Sequence, residues 1–155
     1  MPRLDRGLTD VAAPPSVVFA AFVDQDALAT WLPPAEMTGE ISGFDPREGG
    51  GFTMTLTYPA GSGDRGKTTA DSDVTRVQID GLVPDRRVVW GVEFDSDDPD
   101  HAGRMTMTWT FTERDGSTRV TIDATDVPAG IDPDSHQQGL DASLANLAAY
   151  CQANA

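Results

Sequence analysis

The chain carries one lysine (Lys67), one cysteine (Cys151) and two histidines (His101 and His136) among its 155 residues. Each scarcity closes a class of function. With 11 basic residues against 25 acidic ones and a formal net charge of −14, no basic stripe is available to neutralise phosphates. That argues against nucleic-acid binding and against docking on anionic membranes. A lone cysteine excludes an internal disulfide and any multi-cysteine metal site. The two histidines stand far apart and outside HExxH or CxxC spacing, so no metal site is expected. No segment approaches the ~20 apolar residues of a membrane span. The opening MPRLDRGLTD, charged at positions 3, 5 and 6, lacks the apolar run of a signal peptide, so a soluble, cytoplasmic protein is expected. There is no GxSxG elbow, no phosphate loop ending in Lys-Ser/Thr and no dinucleotide fingerprint. Covalent catalysis and bound cofactors are therefore not expected.

What is present reads as one domain over residues 1–155, of a length at which folding buries about 68–70% of the chain's surface. Prolines and glycines mark joints between short elements. PPSVVFAAFV at 14–23 places Val18, Phe19 and Phe22 at helical spacing, and a second short helix runs from Asp24 or Asp26, as N-cap, to Trp31 or Leu32 before Pro33 and Pro34 stop it. From Met37 to Ala124 the period becomes two. In Met105-Thr-Met107-Thr-Trp109-Thr-Phe111-Thr, bulky apolar side chains take one face and threonines the other, as a strand requires when one face covers a core. Phe52, Met54, Leu56 and Tyr58 repeat the pattern, as do Val88, Trp90, Val92 and Phe94, and then Val120, Ile122 and Ala124. Turn signals separate the runs: PREGGG, PAGSGDRG, GLVPDR and ERDGS. Broken alternation around Val74, Val77 and Ile79 predicts a bulge. After Pro128 the period returns to helical, with Leu140, Leu144, Leu147, Ala148 and Cys151 on one stripe. His136, four residues before Leu140, shares that face.

The expected fold class is therefore α+β: a curved antiparallel sheet of about six or seven strands wrapped around a long C-terminal helix, with two short helices after the first strand. Only that last helix is long enough to cover the sheet's apolar face. VAAPPSVVFAAFVDQDALATWLPP at 11–34, GEISGFDPREGGGF at 39–52 and QGLDASLANLAAYCQ at 138–152 resemble the START-like helix-grip superfamily (SRPBCC). The branch they resemble is that of proteins similar to the C-terminal domain of the activator of the heat-shock-protein-90 ATPase. The resemblance implies a space between sheet and helix and extends over nearly the whole chain. In that family a Trp often follows the glycine of the last stretch, where this chain has Leu140.

Candidate site residues follow from the inward faces. Phe52, Met54, Trp90, Met105, Met107 and Trp109 from the strands, Phe19, Phe22 and Trp31 from the short helices, and Leu140 and Leu144 from the long helix form one apolar, thioether-rich lining. Such a lining suits a small hydrophobic or aromatic ligand. It suits a plainly filled core as well. His136, at the mouth of that space, is the candidate catalytic residue of an alternative, polyketide cyclase-like or hydratase-like reading. His101 reads as a surface residue in the acidic run 93–100 (EFDSDDPD), itself a solvated surface. Asp45, Arg47 and Glu48 read as turn residues, with a ligand-anchoring arginine as the other option. Arg86 shares the parity of Val88 and Trp90 and is expected either to point inward as an anchor or to snorkel at the edge. A third reading, from the family alone, is a co-chaperone stimulating a heat-shock ATPase; a surface this acidic would need a basic partner face, which disfavours it. An exposed edge strand could pair two copies into a homodimer, though nothing in the sequence demands it.

Overall fold

The computed structural model describes residues 4–33, 38–57, 72–94, 104–128 and 130–154. Strand β1 (Leu4–Val11) leads into helices α1 (Pro15–Ala20) and α2 (Gln25–Trp31). Six strands follow: β2 (Thr38–Asp45), β3 (Gly51–Thr57), β4 (Ser72–Val83), β5 (Arg87–Phe94), β6 (Met105–Arg114) and β7 (Ser117–Thr125). Helix α3 (Pro133–Ala153) closes the chain. All seven strands form one antiparallel sheet in the order β1-β7-β6-β5-β4-β3-β2. This is the helix-grip arrangement expected from the sequence. His101, Tyr58, Lys67 and residues 95–100 lie outside the described residues.

The alternation of apolar and threonine side chains becomes a two-faced sheet. In β7, Thr118, Val120, Ile122 and Ala124 are buried while each residue between them is half-exposed. In β6, Met105, Trp109 and Phe111 are buried. The β6–β7 turn uses Asp115 (φ 51°) and Gly116 (φ 86°) between the paired Arg114 and Ser117. Two consecutive positive φ values match the twist of a two-residue hairpin, a conformation Asp-Gly adopts with little strain. The predicted irregularity in β4 is a register shift between Ile79 and Gly81.

Pairing β1 with β7 brings α3, which follows β7, back over β1. The two elements approach closely because Gly7 has no side chain: a Cβ there would lie 2.9 Å from Leu144 Cδ1 and 3.4 Å from Ile122 Cγ2. The short helices are tied to α3 and the sheet by buried or half-buried polar contacts. Ser143 Oγ donates to Leu32 O at 2.9 Å, Asn146 Nδ2 to Pro33 O at 3.0 Å, and Thr118 Oγ1 to Ala13 O at 2.8 Å. Asp24 caps α2, accepting from Ala27 N at 3.1 Å, so of the two expected caps the first is used. On the outer face, Arg104 lies across Gly91, where its guanidinium fills the space a side chain would take. It reaches Asp80 at 2.6 Å and Gln78 at 3.2 Å, so the residue that introduces β6 is bonded to β4 over the top of β5.

Candidate ligand site between the sheet and the terminal helix

Directly opposed residues in an antiparallel ladder point to the same face, so the register reads out the interior row by row. One row runs Asp5–Ala124–Met107–Trp90–Ile79, and the next runs Gly7–Ile122–Trp109–Val88–Leu82. Beyond β1, α3 comes no nearer: its close backbone approaches among the strands are to β1, and the middle strands stand further from it. The intervening space holds aromatic rings. Phe22 is the hub, with ring centroids 4.9 Å from Trp31, 5.7 Å from Trp90, 5.0 Å from Trp109 and 5.3 Å from Phe111. Trp90 and Trp109 lie 5.3 Å apart at an interplanar angle of 65°, and Phe52 meets Trp90 near perpendicular at 5.5 Å. These tilted and edge-on contacts are the favoured geometries for aromatic pairs, each contributing ~0.5–1.5 kcal/mol beyond the area it buries.

The structure thus brings the sequence-selected residues together. Phe22, Trp31, Phe52, Met54, Trp90, Met105, Trp109, Leu140 and Leu144 belong to one buried cluster, against which the partly buried Phe19 and Met107 pack. Met107 is half-exposed between buried Met105 and Trp109 on the same face of β6, and so is the point at which that face meets solvent. Two surface depressions lie elsewhere. One, of about 630 Å³, is beside the β4–β5 turn and bordered by Pro15, Val83, Arg86, Arg87 and Phe111; the other, of about 220 Å³, lies between α1 and the end of α3. Neither is bordered by Phe22, Trp31, Trp90, Trp109, Leu140 or Leu144.

The polar groups of the interior fall into two kinds. Trp31 Nε1 is buried and donates to Ala21 O at 2.9 Å. Trp90 Nε1 and Trp109 Nε1 are buried with no hydrogen-bond partner among the described residues. His136 is held on the α3 face that carries Leu140 and Leu144. Its Nδ1 lies 2.5 Å from Asp5 Oδ2, and the two side chains are only 14% and 10% exposed. Asp5 was invisible as a site residue in the sequence, where it stands within a charged N-terminal stretch; only the pairing of β1 with β7 carries it beneath α3.

Other expectations are corrected or resolved. Arg86 is exposed at the β4–β5 turn rather than inward, because it precedes β5 and the alternation of Val88 and Trp90 does not extend to it. Arg47 pairs with Asp45 at 2.9 Å on the surface and Glu48 accepts from Leu82 N at 3.3 Å, so the DPRE stretch stabilises its own turn. Cys151 is fully buried, and burial pushes its thiol up to about 11. Among the described residues no cluster of His, Cys, Asp and Glu could hold a metal ion, and no helix is long and apolar enough to cross a membrane.

Sheet, helix and enclosed aromatic layer together define a START-like helix-grip protein. The model of the family described as activator of Hsp90 ATPase homolog 1-like protein matches residues 12–152, and the chain belongs to that family. Protein CV1439 from Chromobacterium violaceum is similar at 29% identity with a TM-score of 0.85, over 98% of this chain and 99% of that one. The Mll3558 protein of Rhizobium loti shares the fold at 24% identity, TM-score 0.75, over 97% of each chain. DynU16, described as a putative protein in the dynemicin biosynthetic locus, shares it at 21% identity and TM-score 0.69, over 97% of this chain and 48% of that one. No curated protein matches the chain.

Proposed function

We propose that this protein binds a small hydrophobic, ring-containing molecule between the inner face of β4–β6 and α3. The observation that carries the reading is the pair of indole N–H groups, Trp90 Nε1 and Trp109 Nε1, buried without an acceptor among the described residues. Leaving such a donor unpaired costs about 1–3 kcal/mol each. A ligand carrying a carbonyl or ether oxygen supplies what these donors lack. Entry proceeds where the inner face already meets water, at Met107, whose unbranched thioether re-packs readily around a guest. The described rings touch one another, so binding displaces side chains, Phe22 foremost as the ring shared by most of these contacts. Ligand binding is common among helix-grip proteins.

Native mass spectrometry of freshly purified protein, followed by organic extraction, tests the reading. A bound mass that is lost on denaturation and absent from a Trp90→Phe, Trp109→Phe double variant is the expected result. Unliganded protein whose tryptophan emission is unmoved by millimolar naphthalene or anthraquinone overturns it. The Asp5–His136 pair favours a second reading, in which the bound molecule undergoes proton transfer. Stimulation of a chaperone ATPase rests on the family's description alone and is checked by ATPase rates with and without this protein.

A further inference from the structure

We infer that Asp5 and His136 form the polar end of the proposed site and select a ligand bearing an O–H donor, a phenol or enol, on an otherwise apolar frame. The inference rests on that site being a ligand site. A carboxylate oxygen can only accept, so the 2.5 Å contact to Asp5 fixes the proton of neutral His136 on Nδ1 and leaves Nε2 as a lone-pair acceptor. Nε2 is bonded to no described residue, although the ring is only 14% exposed. Unlike the two indole nitrogens, Nε2 keeps some contact with solvent, and a ligand hydroxyl would take the place of water as its donor.

The register sets the spacing between the two kinds of group. Asp5, Ala124, Met107 and Trp90 stand in one transverse row on four neighbouring strands. Three strand spacings of ~4.8 Å put about 14 Å of sheet between Asp5 and Trp90. Between them lie the small Ala124 and the adaptable, half-exposed Met107. Opposite ends of the site therefore present opposite demands: an acceptor beneath the start of α3 and donors beneath Phe22. A flat molecule of two or three fused rings, with a hydroxyl at one end and a carbonyl or ether oxygen at the other, meets both. Asp5 acts as a positioning residue for His136, since its carboxylate orients the imidazole.

The test compares dissociation constants for naphthalene, 2-methoxynaphthalene and 2-naphthol, read from tryptophan fluorescence, with His136 tautomers read from long-range 1H–15N correlations. The wild type is expected to prefer 2-naphthol over 2-methoxynaphthalene by about tenfold, the scale of one well-formed hydrogen bond. Its imidazole should carry the proton on Nδ1. His136→Phe is expected to lose the preference. Asp5→Ala should weaken the preference and lose the single Nδ1–H signature; a cooperative urea-unfolding transition shows that each variant is folded. Equal affinities for naphthol and methoxynaphthalene in the wild type, or a preference that survives His136→Phe, overturn this inference and leave the proposed site standing. Failure of all three probes to bind overturns both.

Discussion

Where α3 meets β1, helix and strand are in contact through a bare glycine and the Asp5–His136 contact ties them together; where the sheet runs on through β6, β5 and β4, rings fill the gap and two of their N–H groups have no acceptor among the described residues. The first region is held by direct contact and a side-chain pair, the second by the packing of rings. A seam built on Gly7 and Leu144 fixes the helix, and a layer of aromatic side chains fixes only its own volume. The difference locates the closest helix–strand contact at one edge of the interior and the proposed ligand site in its middle.

The comparison is tested most severely by removing a ring. Trp109→Ala takes away contacts to Phe22, Trp31 and Trp90 at a position 1% exposed and is expected to destabilise by about 3–5 kcal/mol in urea unfolding. At the seam, Gly7→Val drives a branched side chain into Leu144 and should cost about 1–3 kcal/mol. The two kinds of tryptophan are expected to separate. Trp31→Phe leaves the buried Ala21 carbonyl without its donor and loses about 1–3 kcal/mol, whereas Trp90→Phe deletes a donor that already has no partner and should lose less. Equal losses in that pair would erase the distinction drawn here. Away from both regions, Asp24→Ala removes the α2 cap for about 1 kcal/mol. Cys151 adds a pH-dependent test. Its folded value of about 11 exceeds the ordinary value of 9.0, so its contribution to stability is whole below pH ~9 and lost as pH rises toward 11. Unfolding free energies of wild type and Cys151→Ala should converge across that window.

Much of this was legible in the sequence, because periodicity reports which face is buried. Threonines alternating with Met105, Met107, Trp109 and Phe111 specified a strand and its inner face, and the Leu140, Leu144, Leu147 stripe specified the covering helix. What periodicity does not carry is which partner lies opposite. Asp5 and His136 are 131 residues apart, and no local pattern announces that β1 will pair with the last strand. Gly7 is likewise silent until Leu144 is seen above it. Arg86 misleads because parity is meaningful only within a strand, and it falls one residue before β5. The indoles of Trp31, Trp90 and Trp109 are identical as letters; their hydrogen bonding depends on which carbonyl the tertiary structure places within reach.

Arg104 carries a mechanical consequence. By stretching over Gly91 to Asp80 it works as a strap on the outside of the sheet, binding the flanks of β5 to each other. A sheet laced in this way resists bulging outward, so any swelling of the interior is directed against the helices instead. The short α1 and α2, held by a few side-chain contacts rather than by a ladder, are then the parts that yield.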